Sequence, residues 1–139
     1  DKKLGFVNSK GEWVIQPTYD KAKAFVDGLA PVSNDKMWGF VNESGEMVIE
    51  ASYRDAEVFA EGLAGVKDKK WGFIDETGKL IIPMEYDITA GLSFSGPKVK
   101  GFINGLTRVK SKKGWGFLDK TGKLLADKWF ENAEPFVKN

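Results

Sequence analysis

Lys70-Trp71-Gly72-Phe73-Ile74-Asp75-Glu76-Thr77-Gly78-Lys79-Leu80-Ile81-Ile82-Pro83 holds two short runs of aromatic and branched residues around an Asp-x-x-Gly turn. Such a pattern predicts two antiparallel strands joined by a hairpin loop. The Asp side chain can cap backbone amides two residues on, and the Gly can take the positive φ that the loop demands. Outward in both directions the same text returns: Leu4-Gly5-Phe6-Val7, Trp38-Gly39-Phe40-Val41 and Trp115-Gly116-Phe117-Leu118. The four starts are 34, 33 and 44 residues apart, so the chain is read first as an internal repeat.

Counting from the Trp, or from Leu4, as position 0, position +4 is Asn8, Asn42, Asp75 or Asp119 and position +7 is Gly11, Gly45, Gly78 or Gly122. Position +15 is Tyr19, Tyr53, Tyr86 or Phe130, and position +21 is Phe25, Phe59 or Phe136, the third copy reaching its Phe102 after ten extra residues. Gly-Leu follows at 28–29, 62–63 and 105–106, and the fourth copy stops before its own, so the array is expected to be cut from something longer or closed by a partner. The copies are 4–37, 38–70, 71–114 (with the insertion) and 115–139, all in one domain, 1–139. Leu63 to Lys67 predicts a further strand before Trp71, giving three-stranded meanders, eleven strands in all, with a connector such as Tyr19 to Phe25 making one helical turn between them. A three-stranded sheet with one apolar face cannot bury that face alone. The expected core therefore lies between stacked copies and comprises Trp38, Trp71, Trp115, Phe6, Phe40, Phe73, Phe117, Tyr19, Tyr53, Tyr86, Phe25, Phe59 and Phe102, with the Gly at +1 admitting the backbone of the neighbouring copy.

Composition narrows the chemistry. The 139 residues carry 21 basic and 20 acidic side chains, no Cys and no His, which removes disulfides, thiolate chemistry, the usual general base and the commonest metal ligand. No apolar run reaches the roughly 18 residues of a membrane helix. The chain begins at Asp1, without initiator Met or signal-like segment, which suggests a mature form or an excised piece. Neither balanced charge nor composition favours nucleic-acid binding, and no cofactor or metal site is expected, each Asn/Asp turn offering too few oxygens for calcium.

The Lys70 to Pro83 string, with Tyr86-Asp87 and Gly105-Leu106 after it, resembles the WG repeat, also called the KWG repeat, of bacterial proteins. The resemblance covers nearly the whole chain and departs from the pattern locally: Leu4 replaces Trp, Ala51 and Asp127-Lys128 stand where Pro is usual, and copy three carries its insertion. It implies an all-β array of three-stranded units, solenoid-like or propeller-like, in bacterial proteins that are often surface-associated. It therefore favours a cell-surface, secreted or periplasmic location over a cytoplasmic one, and a role as interaction scaffold. It supplies no catalytic motif, so the chain is expected not to be an enzyme.

Candidate binding residues follow from what breaks the repeat. The insertion, Ile88 to Gly101, offers Phe94, Lys98 and Lys100, although a tolerated loop is the plainer reading. Residues 98–139 hold ten Lys or Arg against four Asp or Glu, whereas residues 1–97 hold eleven against sixteen. Arg108, Lys110, Lys112 and Lys113 thus form a candidate patch for a protein partner with acidic character, against the plainer role of lysines as protection of a sheet edge. Trp13 and Trp129, outside the repeated Trp position, are candidate platforms for stacking a glycan, with Glu50 or Glu85 as the acid if that surface cleaved it. Ser93, Ser95 and Lys98 lack any spacing that fixes a catalytic geometry. Asp20, Asp87 and Glu131 share +16, which suggests a structural bond at the connector.

Overall fold

The computed structural model describes residues 3–90 and 101–131, all-β with antiparallel pairing throughout. β1 (Leu4–Val7) and β2 (Trp13–Tyr19) form a hairpin. The second sheet runs in chain order through β3 (Lys21–Ala22), β4 (Leu29–Asn34), β5 (Met37–Asn42) and β6 (Met47–Tyr53). The third repeats it with β7 (Asp55–Ala56), β8 (Ala64–Lys67), β9 (Trp71–Ile74) and β10 (Leu80–Tyr86). The fourth holds β11 (Ile88–Ala90), β12 (Leu106–Ser111) and β13 (Gly114–Asp119), and its returning segment is held by single bridges, Leu118 to Leu124 and Trp115 to Phe130, around a 3₁₀ turn at Leu125–Asp127.

The connectors are extended, not helical. Lys21 and Ala22 pair with Ser33 and Val32, Asp55 and Ala56 pair with Lys67 and Val66, and Ile88 to Ala90 pair with Lys110 to Arg108. Pairing with the next strand satisfies connector amides that one isolated helical turn would leave open. The described strands therefore number thirteen instead of eleven, because each connector opens a sheet and the fourth copy lacks a full second strand. After each connector a two-residue turn reverses the chain: Asp27-Gly28, Glu61-Gly62 and Asn104-Gly105 all sit at positive φ, between residues that exchange both backbone hydrogen bonds. This is the hairpin turn whose twist matches that of the strands.

One consequence is a phase offset. A sheet is assembled from the connector and first strand of one copy and the Trp hairpin of the next. Each sequence copy is therefore divided between two sheets.

The Trp hairpins share an irregular register. Trp38 faces Tyr53 and Phe40 faces Ile49, so two steps along β5 span four along β6, and β9 and β10 repeat this with Trp71 opposite Tyr86 and Phe73 opposite Ile82. The extra residues bulge onto the Gly at +1. A Cβ on Gly39 would stand 2.5 Å from the Ile49 carbonyl oxygen and 2.8 Å from Ala51 N, and one on Gly72 would stand 2.5 Å from the Ile82 oxygen. The close approach comes from the hairpin's own second strand, not from the neighbouring copy as the sequence led us to expect. The loop itself is capped alike in all four copies. For example, Asp75 Oδ1 accepts from Thr77 N at 2.9 Å, Lys79 N at 3.0 Å and Thr77 Oγ1 at 2.6 Å.

Three apolar clusters lie between consecutive sheets, not within them. Ile15, Tyr19, Ala30, Val32 and Val41 join the first hairpin to the second sheet. Trp38, Phe40, Ile49, Phe59, Val66 and Ile74 join the second to the third, and Trp71, Phe73, Ile82, Phe102, Val109 and Leu118 join the third to the fourth. Two contacts recur at these seams. Phe at +2 meets Phe at +21, with ring centroids 4.6 Å apart for Phe6 and Phe25, 5.1 Å for Phe40 and Phe59 and 5.0 Å for Phe73 and Phe102. The branched residue at +11 packs on the next copy's turn glycine: Ile15 lies 3.4 Å from a Cβ built on Gly45, Ile49 3.5 Å from one on Gly78, and Ile82 3.2 Å from one on Gly122.

Of the residues assigned to the core from sequence, Trp38, Trp71, Phe40, Phe73, Phe117, Tyr19, Tyr86, Phe59 and Phe102 are buried. Phe6, Phe25, Tyr53 and Trp115 are half-buried. Arg108 and Lys110 lie over the Trp115 ring.

Gly39→Ala and Gly72→Ala are each expected to cost about 2–3 kcal/mol, because the added methyl meets backbone and not a movable side chain. Gly65 tests the contrast. Its Cβ would find only ordinary contacts of 3.6 Å at unremarkable φ, so Gly65→Ala should change stability by less than about 1 kcal/mol in denaturant titrations.

Ile82→Ala should cost about 2–4 kcal/mol in the same titrations, since a fully buried side chain leaves a cavity at the seam.

Candidate binding surface

The seam between the third and fourth sheets carries a concavity of about 440 Å³ lined by Lys70, Met84, Glu85, Tyr86, Ser111, Lys112, Lys113 and Trp129. Its apolar side is Met84 and Tyr86 from β10 with Trp129 from beyond β13, the Tyr86 and Trp129 rings standing 6.5 Å apart at 39°. Trp129 is half-buried against the core, and a Cβ on Gly116 would touch its ring edge at 2.8 Å. It is therefore packed into a groove wall and is not the open platform that its off-pattern position suggested. Burial, with the Glu85 charge second, pushes the Tyr86 hydroxyl above its ordinary pKa, so it stays a neutral donor.

The rim is cationic. Lys70 pairs with Asp87, and Lys110 and Lys112 also act on that carboxyl, so the Lys70 hydrogen bond and these charges hold Asp87 below the usual carboxylate range. Four ammonium groups, Lys70, Lys110, Lys112 and Lys113, thus stand around two carboxylates, Asp87 and Glu85. Ser111 fixes the turn by accepting Lys113 N at 3.1 Å.

The other seams share this framework but differ at two places. Three residues before the Trp stand Asp35, Asp68 and, in the fourth copy, Lys112; at +14 stand Thr18, Ser52, Glu85 and then Trp129. In the first seam Asp35 N donates to Asp20, and in the second Asp68 pairs with Arg54 at 3.5 Å. Only the fourth copy places a cation at the first position and an indole at the second, and both line the same groove.

The remaining candidates fall elsewhere. Phe94, Lys98 and Lys100 lie outside the described residues, as do Ser93 and Ser95. Arg108 and Lys110 lie over the Trp115 ring at 5.1 and 5.8 Å, so their stems cover the indole while they add charge beside the turn. Trp13 is 52 % exposed on the first hairpin and shares +9 with the equally open Met47 and Leu80, so it belongs to a repeated exposed row. Glu50 and Glu85 sit in different sheets, on β6 and β10. Asp20 and Asp87 each pair with the lysine preceding position 0 of their copy, Lys3 and Lys70, which accounts for the acid at +16 in those two copies; before Trp115 that place is Gly114, so Glu131 has no such lysine. Where Met37 replaces that lysine, +16 is Arg54. Lys23 illustrates a cation used for construction: it spans one seam, donating to the Ala56 carbonyl at 2.6 Å and pairing with Glu57 at 3.3 Å. Among the described residues no cluster of His, Cys, Asp and Glu is placed to hold a metal, and no helix is long and apolar enough to cross a membrane.

The sequence reading missed the groove because it depends on residues 45 positions apart in the chain, Met84 and Trp129. The signal was present in the repeat alignment, as coincident departures at two positions of one copy.

The fold is that of a tandem β-repeat protein. The WG containing repeat family matches residues 5–38, 38–70, 71–91 and 115–139, and the chain belongs to that family. No curated protein and no solved structure shows a significant match to it.

The depressed carboxyls set a pH expectation. A folded-state pKa below the unfolded value near 3.9 stabilises the fold above that pH, and the contribution disappears as pH falls through the folded value. Asp20, Asp75, Asp87 and Asp119 all shift this way, so acid titration should weaken the fold progressively below about pH 4. Lys70→Met, which copies the second repeat, should move the Asp87 pKa up in a carboxyl NMR titration and leave Asp75 unmoved.

Proposed function

We propose that the chain is a non-catalytic interaction module that binds an acidic protein partner through the basic end of the array, where Lys112 and Lys113 rim the third seam and Arg108 and Lys110 lie over Trp115 on the fourth sheet. The reading rests on one observation above all: the chain's excess positive charge is gathered where the repeat departs from its own pattern, beside a concave surface. A cationic surface speeds encounter and selects partners by sign, and does so in a salt-dependent manner. A repeated acid is a poor candidate for chemistry, since Asp75 and Asp119 cap turns and Asp20 and Asp87 hold lysines. Glycan stacking on Trp13 is the second reading, favoured by the exposure of its indole.

Calorimetric titration with polyglutamate tests the first reading. Binding should weaken at least tenfold between 50 and 200 mM salt, and should be lost when Arg108, Lys110, Lys112 and Lys113 are replaced by Ser. Binding that ignores both changes, or none at low salt, would reject it. Retention of neutral oligosaccharides that depends on Trp13 would favour the second.

A further inference from the structure

We infer that the groove between Tyr86 and Trp129 is a slot for an apolar side chain carried within an acidic peptide segment, with Lys112 and Lys113 engaging the flanking carboxylates. This rests on the reading of the basic end as a docking surface for acidic protein, and it assigns the contact that confers selectivity there.

The repeat serves as its own control. Three seams are built on one framework, so a residue kept in all of them serves the framework, while one changed at a single seam is free of that demand. At −3 the first two seams carry an acid: Asp35, whose backbone amide donates to Asp20, and Asp68, whose carboxylate pairs with Arg54. At the third seam the residue is Lys112. Its charge acts on Asp87, which is already paired with Lys70 and also feels Lys110, so among the described residues the seam keeps cations in excess of its own carboxylates. At +14, Thr18, Ser52 and Glu85 are polar and exposed, whereas Trp129 turns the same position into an aromatic wall facing Met84 and Tyr86.

The combination specifies the ligand. Ammonium groups on the rim call for anions, and a cleft between a thioether, a phenol and an indole calls for something apolar. A peptide with a Leu or similar residue between acids meets both demands. A glycan fits less well, because a sugar ring requires an open aromatic face and planar acceptors for its hydroxyls, whereas Trp129 is half-buried and the rim is dominated by donors.

The test compares two seven-residue peptides by calorimetry with the full chain, one of six Glu with a central Leu and one with a central Ser. The Leu peptide should bind about tenfold more tightly, the increment expected for burying one such side chain. Trp129→Thr, which restores the residue type of the first copy, should abolish that advantage while leaving the Ser peptide's affinity unchanged. Lys112→Asp, which restores the residue of the other seams, should weaken both peptides. Thermal melts confirm that each variant folds, and both substitutions use residues that the framework already accommodates. Equal affinity for the two peptides, or a Leu advantage that survives Trp129→Thr, overturns the slot while leaving the acidic docking surface in place. Failure of both peptides to bind overturns the two readings together. Sulfated dextran that binds in a Trp129-dependent manner while the Leu peptide shows no advantage would replace the peptide with an anionic glycan.

Discussion

Each sheet has an apolar face that it cannot cover by itself, and the covering is done by the sheets before and after it. The recurring contacts at the seams, Phe on Phe and a branched side chain on a turn glycine, bear this burden. Burying one such side chain contributes about 2–3 kcal/mol, and each seam gathers several of them. The turn glycines consequently serve two masters: Gly45, Gly78 and Gly122 take a left-handed backbone conformation, and they leave room for the isoleucine arriving from the preceding copy. Stability in such an array is a property of neighbours, as expected where each unit contacts chiefly the next.

That dependence divides the residues into those the framework needs and those it tolerates. The Asn/Asp cap, the glycine at +1 and the paired Phe rings repeat because every seam poses the same physical problem. Where the demand is relaxed, the residue can drift or be recruited. Trp129 and Lys112 occupy positions that other copies fill with Thr, Ser, Glu or Asp. Their meeting in one groove gives the third seam a chemical character that the others lack.

Much of the architecture was legible because it rests on local patterns. Trp-Gly-Phe, or Leu-Gly-Phe in the first copy, followed by Asn/Asp-x-x-Gly encodes a capped hairpin four times along the chain. The connectors were misread because Tyr19 to Phe25 contains helix-compatible residues, and propensity alone does not reveal that a returning strand will pair with Lys21 and Ala22. The Asp, Glu or Asn before each Gly-Leu was the available clue, since such dipeptides favour the tight turn that brings this strand back. The bulge was hidden for a different reason: period-two reasoning assumes a regular pleat, and two extra residues in β6 and β10 break it. The groove lay further from view, since it requires the seam itself to be built before Tyr86 and Trp129 can meet.

The offset between sequence copy and hydrogen-bonded sheet bears on how such chains lengthen. Because every sheet borrows strands from two successive copies, a duplicated block of one period regenerates whole sheets in the interior wherever the duplication breakpoint falls. Only the outermost strands record the phase of the cut. Growth of the gene is thereby freed from any need to break at a structural boundary, and a newly inserted copy arrives with its partners for pairing already on either side.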